Sequence, residues 1–269
     1  MSTQKAQELA SLLKRIRDCR PLVHHITNMV VMNDTANVTL AVGALPVMAH
    51  ALEEVEEMVS LAGALVLNIG TLTAEQIEAM LLAGKRANAR GIPIVLDPVG
   101  AGATSFRTQN ALRLLSELRI AVLRGNASEV GSLIGVAGVT RGVESISTDT
   151  PPSIIARNAS SHFGCTVAIT GARDVVVDGE RMAEVDNGHP LLAAITGSGC
   201  MSTSMIGAYL AIEPDPWLAA LAALISMGVA GEVAAVKAGG PGTFRSHLLD
   251  AVASLSYEQL CERQRVSFL

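Results

Sequence analysis

Gly197 and Gly199 sit one residue apart in the run Thr196-Gly197-Ser198-Gly199-Cys200, just ahead of a stretch of helical character. Glycine lets a backbone approach a ligand closely and turn its N–H groups inward. A helix that begins at the same place adds unpaired N–H groups and the positive end of its dipole. Together these features bind an anion, most often a phosphate. A tight turn with no ligand is the competing reading. Cys200 lies at that helix start, where a thiol pKa is expected to fall. It is a candidate nucleophile or base, against the alternative of a small buried side chain.

Other polar residues close apolar runs. Leu96-Asp97-Pro98-Val99-Gly100 puts an acid at a strand end before a glycine-bearing loop. In open α/β sheets ligands bind at the carboxyl ends of strands, and a carboxylate there suits a hydrated magnesium ion. Arg124-Gly125-Asn126-Ala127-Ser128-Glu129 follows another run. Asn126 reads as a helix N-cap with Glu129 as its capping-box partner, and the rival reading aims Glu129 at a metal–phosphate cluster with Arg124 on phosphate. Ile169-Thr170-Gly171 ends a third run, and His24-His25-Ile26-Thr27-Asn28 a fourth. Adjacent histidines on a strand point to opposite faces, so a structural role fits His24 and His25 better than a metal.

Several classes are excluded. The one Gly-Lys pair, Gly84-Lys85, is followed by Arg86, so no P-loop exists. A dinucleotide fingerprint needs glycine where Ser202 stands, and it belongs near the first strand. Net charge is -5 with scattered basic residues, which disfavours nucleic acid. Mean hydropathy is +0.40, yet the apolar run Trp217 to Ala230 is short for a membrane span and leads to Glu232. It reads as a buried segment. Cysteines 19, 165, 200 and 261 form no C-x-x-C pair, so thiols in a cytoplasmic protein are expected. The lead-in Met1-Ser2-Thr3-Gln4-Lys5 has no secretory character.

The elements that must position these residues alternate. Strands are expected over Leu22 to His25, Leu45 to Met48, Ala64 to Asn68, Pro93 to Leu96, Ile120 to Leu123 and Thr166 to Thr170, with helical patterns between them. One such helix starts at Thr73 and runs to about Arg90. This pattern predicts an α/β fold with a mostly parallel sheet and helices on both faces, as one domain spanning 1–269. Val175 to Met182 reads as a hairpin turning at Asp178-Gly179. Helices are expected over Ser202 to Leu210, Trp217 to Lys237 and Phe244 to Ser254.

The order Asp-Pro-Val-Gly, Arg-Gly-Asn-x-x-Glu, Ile-Thr-Gly and Thr-Gly-Ser-Gly-Cys resembles the ribokinase-like fold. More narrowly it is similar to the hydroxyethylthiazole kinase family of thiamine biosynthesis. His24 to Asn28, Leu45-Pro46-Val47-Met48-Ala49 and Gly240-Pro241-Gly242-Thr243-Phe244 agree with that family. The resemblance implies transfer of phosphate from ATP to the side-chain alcohol of 4-methyl-5-(2-hydroxyethyl)thiazole. It implies magnesium organised by Asp97 and Glu129, nucleotide contacts from Arg124, Thr170 and Asn126, and a thiazole pocket lined by Asn28, Met48 and Gly197. It implies that Gly197, Gly199 and Cys200 meet the reacting groups, and that the chain forms a homotrimer with sites near subunit boundaries. Related sugar kinases carry a basic Asp where Cys200 stands, which leaves the base unassigned. A hydroxymethylpyrimidine kinase, an ATP-dependent hydro-lyase of hydrated nicotinamide cofactors and a non-catalytic sensor are the alternatives.

Overall fold

The computed structural model describes residues 3–136, 139–141, 144–147 and 150–269. Met1 and Ser2 of the N-terminal lead-in lie outside the described residues. Helix α1 (Thr3–Cys19) leads into β1 (Leu22–Ile26), α2 (Met32–Val42), β2 (Leu45–Val47), α3 (Val55–Leu61) and β3 (Ala64–Asn68). Then come α4 (Ala74–Arg90), β4 (Ile94–Asp97), α5 (Ser105–Glu117), β5 (Val122–Gly125) and α6 (Ala127–Leu133). A small antiparallel pair, β6 (Val139–Arg141) and β7 (Glu144–Ser147), precedes α7 (Pro152–Phe163) and β8 (Thr166–Ile169). The hairpin β9 (Asp174–Asp178) and β10 (Arg181–Val185) follows. The chain ends through α8 (Ser198–Leu210), α9 (Pro216–Lys237), α10 (Pro241–Ser254), α11 (Tyr257–Arg263) and β11 (Val266–Phe268).

Nine strands form one sheet in the order β11-β10-β9-β8-β5-β4-β3-β1-β2. Pairing is parallel from β2 to β8 and antiparallel from β8 to β11. The expected parallel sheet is therefore present, extended by an antiparallel edge. Side chains alternate across it: Val23, Val66, Val95 and Val122 join the core beneath α1, α2, α8, α9 and α10, while Leu65, Leu67, Leu96 and Leu123 join the core beneath α3 to α7. Covering both faces makes these strands read as near-continuous apolar runs.

Most boundaries shift by a residue or a few from the sequence reading, and three of the shifts bear on the site. Strand β4 includes Asp97, which stays paired with Asn68 of β3. Strand β5 starts at Val122 and continues through Arg124 and Gly125, because parallel pairing with Ala168 and Ile169 carries it past the apolar run. Helix α8 starts at Ser198, so Gly199 and Cys200 lie in its first turn. Helix α9 spans 22 residues with a mean hydropathy of 1.9 in its most apolar window, long and apolar enough to cross a membrane. Here 78% of that window is buried inside the fold. The helix continues past Glu232, whose Oε1 accepts from Asn187 Nδ2, Gly188 N and Arg265 Nη2.

Helix α8 lies close on the sheet. A Cβ at Gly207 would come 2.6 Å from Val66 Cγ2 and 3.3 Å from Val23 Cγ1. That close approach sets the helix start over the carboxyl ends of β1, β3 and β4. The paired histidines of β1 face apart, as expected. His24 Nε2 donates to Ala49 O at 2.7 Å, and His25 Nδ1 donates to Val23 O at 3.1 Å on the α2 side, near Thr39.

Burial pushes the His25 imidazole from its ordinary 6.5 down to about 3, despite the bond to Val23. The folded chain holds it neutral, while the unfolded chain takes up a proton below its ordinary pKa. This contribution to stability is fully present above pH 6.5 and is lost as pH falls towards 3. The loss runs at up to about 1.4 kcal/mol per pH unit. Denaturant melts at about pH 7.5 and about pH 5.5 are expected to differ by about 1 kcal/mol from this group, and His25→Asn to reduce that difference.

Candidate active site

The parallel strands deliver their polar residues to one edge of the sheet. Asp97 ends β4 with no solvent exposure. Its Oδ2 accepts from Asn68 Nδ2 at 2.9 Å, from Thr203 Oγ1 at 2.8 Å and, at 3.5 Å, from Arg124 Nη1. These donors come from β3, α8 and β5. Burial pushes the carboxyl up, against the pull of Arg124 and the hydrogen bonds. Asp97 Oδ1 is buried with no hydrogen-bond partner among the described residues.

Arg124 is itself buried and points under the first turn of α8. Its Nη2 donates to Thr170 Oγ1 at the end of β8. A Cβ at Gly199 would lie 2.6 Å from Arg124 Nη1, so only glycine permits this approach without displacement. The first backbone bond into α8 runs from Met201 N to Gly197 O. The N–H groups of Ser198, Gly199 and Cys200 precede it and have no acceptor within the helix. Gly197, at φ 88, caps the helix from the left-handed region, and a Cβ there would also strike Val31 Cγ1 at 2.5 Å. A guanidinium, three free N–H groups and a helix dipole thus converge on one half-buried spot, an arrangement suited to a polyanion.

Cys200 sits at this spot and receives two amide N–H groups, from Asn68 Nδ2 at 3.2 Å and Asn28 Nδ2 at 3.6 Å. The lowered pKa expected at a helix start does not hold. Burial, then the nearby Asp97 charge, pushes the thiol up to about 12, outweighing Arg124 and both amides. The sulfur is therefore a protonated hydrogen-bond acceptor. Asn28 is fixed by Val30 N, Val31 N and Asn68. Met48 follows β2 and is half-buried, beside β1 at the same edge.

Asn126 and Glu129 form the capping box read from the sequence: Glu129 N donates to Asn126 Oδ1 and Asn126 N to Glu129 Oε2, each at 2.9 Å. Glu129 does more than cap, because its Oε1 also accepts from Gly100 N at 2.8 Å and so ties the Asp97–Gly100 loop to α6. Its carboxyl is pushed up to about 7, first by burial and then by the Asp97 charge. Two buried carboxyls, both pushed up by burial and one with a buried oxygen that has no partner among the described residues, suit a cation. Among the described residues no three His, Cys, Asp or Glu side chains cluster as a metal cage. The donor set therefore fits an ion that keeps most of its water, as magnesium does.

Asn68, Thr203 and Arg107 were not singled out by the sequence. Arg107 donates to Ile69 O, Gly70 O and Val99 O, clamping the loops after β3 and β4 together. The one sequence signal for Asn68 was a polar residue ending an apolar strand, the same signal that marked Asp97. Thr203 sits in an apolar helix and gives no signal until α8 is placed on the sheet.

The chain matches the model of the "Hydroxyethylthiazole kinase family" over residues 13–258. It is 58% identical over 260 residues to a hydroxyethylthiazole kinase of Desulforudis audaxviator, covering 97% of this chain and 95% of that one. It is similar to the solved structure of the hydroxyethylthiazole kinase protein from Pyrococcus horikoshii, with a TM-score of 0.89 and 44% identity over 97% of this chain and 99% of that one. A ribokinase-like superfamily protein from Enterococcus faecalis shares the fold, with a TM-score of 0.60 at 14% identity over 96% of each chain. A ribokinase-like α/β chain with these donors gathered at the carboxyl edge of its sheet belongs to the hydroxyethylthiazole kinase family.

Proposed function

We infer that this chain is a kinase that uses ATP to phosphorylate the side-chain hydroxyl of 4-methyl-5-(2-hydroxyethyl)thiazole, a thiazole-branch step of thiamine biosynthesis. The observation that carries the reading is the convergence of Arg124, the close-approach Gly199 and the free N–H groups of α8 beside a buried carboxylate. Phosphoryl transfer needs positioning and charge stabilisation more than covalent chemistry, and this edge supplies both.

The roles we propose follow from where each group sits. Asn28, Met48 and Gly197 line the pocket for the thiazole, with its alcohol beside Cys200. Arg124, Thr170 and Asn126 meet the nucleotide, Arg124 by charge and Thr170 by its hydroxyl. The backbone N–H groups at 198–200 stabilise the charge that builds on the transferred phosphoryl group. Asp97 and Glu129 are the residues that would hold a magnesium ion, through water, and the ion would supply neutralisation of phosphate charge. Cys200 contributes shape and hydrogen bonding rather than proton abstraction, since both neighbouring amides already donate to its sulfur.

The whole chain, 1–269, acts as one kinase domain in this reading. A homotrimer is the proposed assembly. Met29 and Val30 are exposed at 72% and 64% beside Asn28, and Leu40 is exposed on α2, an apolar surface that a second copy would cover. A cytoplasmic setting agrees with four free cysteines.

Purified protein with ATP is expected to release ADP only when the thiazole alcohol is added; no thiazole-dependent ADP overturns the reading. Cys200→Ala is expected to keep kcat within about tenfold of the parent, whereas loss of a general base costs about 100-fold or more. Gly199→Ala pushes a Cβ into Arg124 and is expected to lower kcat by about 100-fold, the size of losing a transition-state donor. Steady-state ADP release reads both variants.

A further inference from the structure

Asn68 ends β3 at 1% exposure, and its side chain is fully used. Oδ1 accepts from Asn28 Nδ2 at 2.7 Å and from Gly70 N at 3.0 Å. Nδ2 donates to Asp97 Oδ2 at 2.9 Å and to Cys200 Sγ at 3.2 Å. An amide offers two acceptor sites and two N–H groups, so nothing is left over. Rotating it by half a turn would set N–H against the Asn28 and Gly70 donors, and oxygen against the Asp97 carboxylate. One orientation is enforced. The backbone defends it too, because a Cβ at Gly70 would lie 2.6 Å from Asn28 Nδ2.

The consequence falls on Asp97. Two strong donors, Asn68 Nδ2 and Thr203 Oγ1, grip the same oxygen from β3 and α8. That grip fixes the rotation of the carboxylate and leaves Oδ1 as the oxygen without a partner among the described residues. Cross-strand register sets it up, since Asn68 and Asp97 are direct partners in the parallel β3–β4 pair.

We propose that Asn68 is a positioning residue for phosphoryl transfer: its amide, locked by Asn28, Gly70 and Cys200, holds Asp97 with Oδ1 turned towards the reacting groups. The proposal rests on the kinase reading. It makes Asn68 act through Asp97, so its contribution vanishes when the Asp97 carboxylate is absent.

Asn68→Asp keeps the shape and the acceptor for Asn28 and Gly70 while removing both donated N–H groups. Asn68→Ala removes the whole amide without adding a second carboxylate and serves if the first variant fails to fold. With Asp97 intact, kcat is expected to fall about 10–100-fold, as for other outer-shell partners. KM for ATP is expected to change by less than about threefold. In an Asp97→Ala background, followed at raised enzyme concentration, replacing Asn68 is expected to change the residual kcat by less than about twofold. An unchanged kcat with Asp97 intact overturns the proposal, and so does an equal fold-loss in both backgrounds, the mark of a purely structural role. A parent enzyme that releases no thiazole-dependent ADP is a different failure. It removes the kinase reading, and this proposal with it.

Discussion

A carboxylate buried at the end of a central strand has to be compensated by its neighbours, and Asp97 imposes that demand on the whole carboxyl edge of the sheet. Asn68 meets it from β3, Arg124 from β5 and Thr203 from α8. Each donor depends on a larger constraint. Asn68 needs the parallel register that sets it opposite Asp97. Arg124 needs β5 to continue beyond its apolar residues. Thr203 needs α8 pressed onto the sheet, which Gly207 permits.

The same compensation builds the proposed anion site. Arg124 reaches Asp97 with its guanidinium beneath the first turn of α8, so close that a Cβ at 199 would strike it. The helix start therefore arrives over a buried cation with its unpaired N–H groups exposed to the same volume. Positive charge and backbone donors are fixed before any phosphate arrives, so they need no reorganisation during transfer. Cys200, inside this field, is governed by burial and by Asp97 rather than by the helix dipole. Its thiol stays protonated, in keeping with the proposed reliance on backbone donors rather than a side-chain base.

The sequence revealed those parts of the site that are local. Gly197 and Gly199 beside a helix start, Asp97 before Pro98 and the Asn126–Glu129 capping box are patterns within a few residues. The strand–helix alternation likewise gave the mostly parallel sheet, and the Asp178-Gly179 turn gave the hairpin. What escaped depends on pairing between distant segments. Asn68 gains its meaning only opposite Asp97, and Thr203 reads as one more small residue in an apolar helix. Strand β11 is three residues long and is defined by its antiparallel pairing with β10. The Cys200 thiol departs from the local rule for helix starts for the same reason: that rule omits the burial that distant segments impose and, after it, a carboxylate more than a hundred residues earlier in the chain.

A crystal structure of the protein with a non-hydrolysable ATP analogue and the thiazole alcohol tests the central claim most directly. The terminal phosphate is expected within hydrogen-bonding distance of the N–H groups of Gly199 and Cys200, with Arg124 still bonded to Thr170 and the alcohol oxygen facing that phosphate. A terminal phosphate bound away from the first turn of α8, with these N–H groups left to solvent, would contradict it.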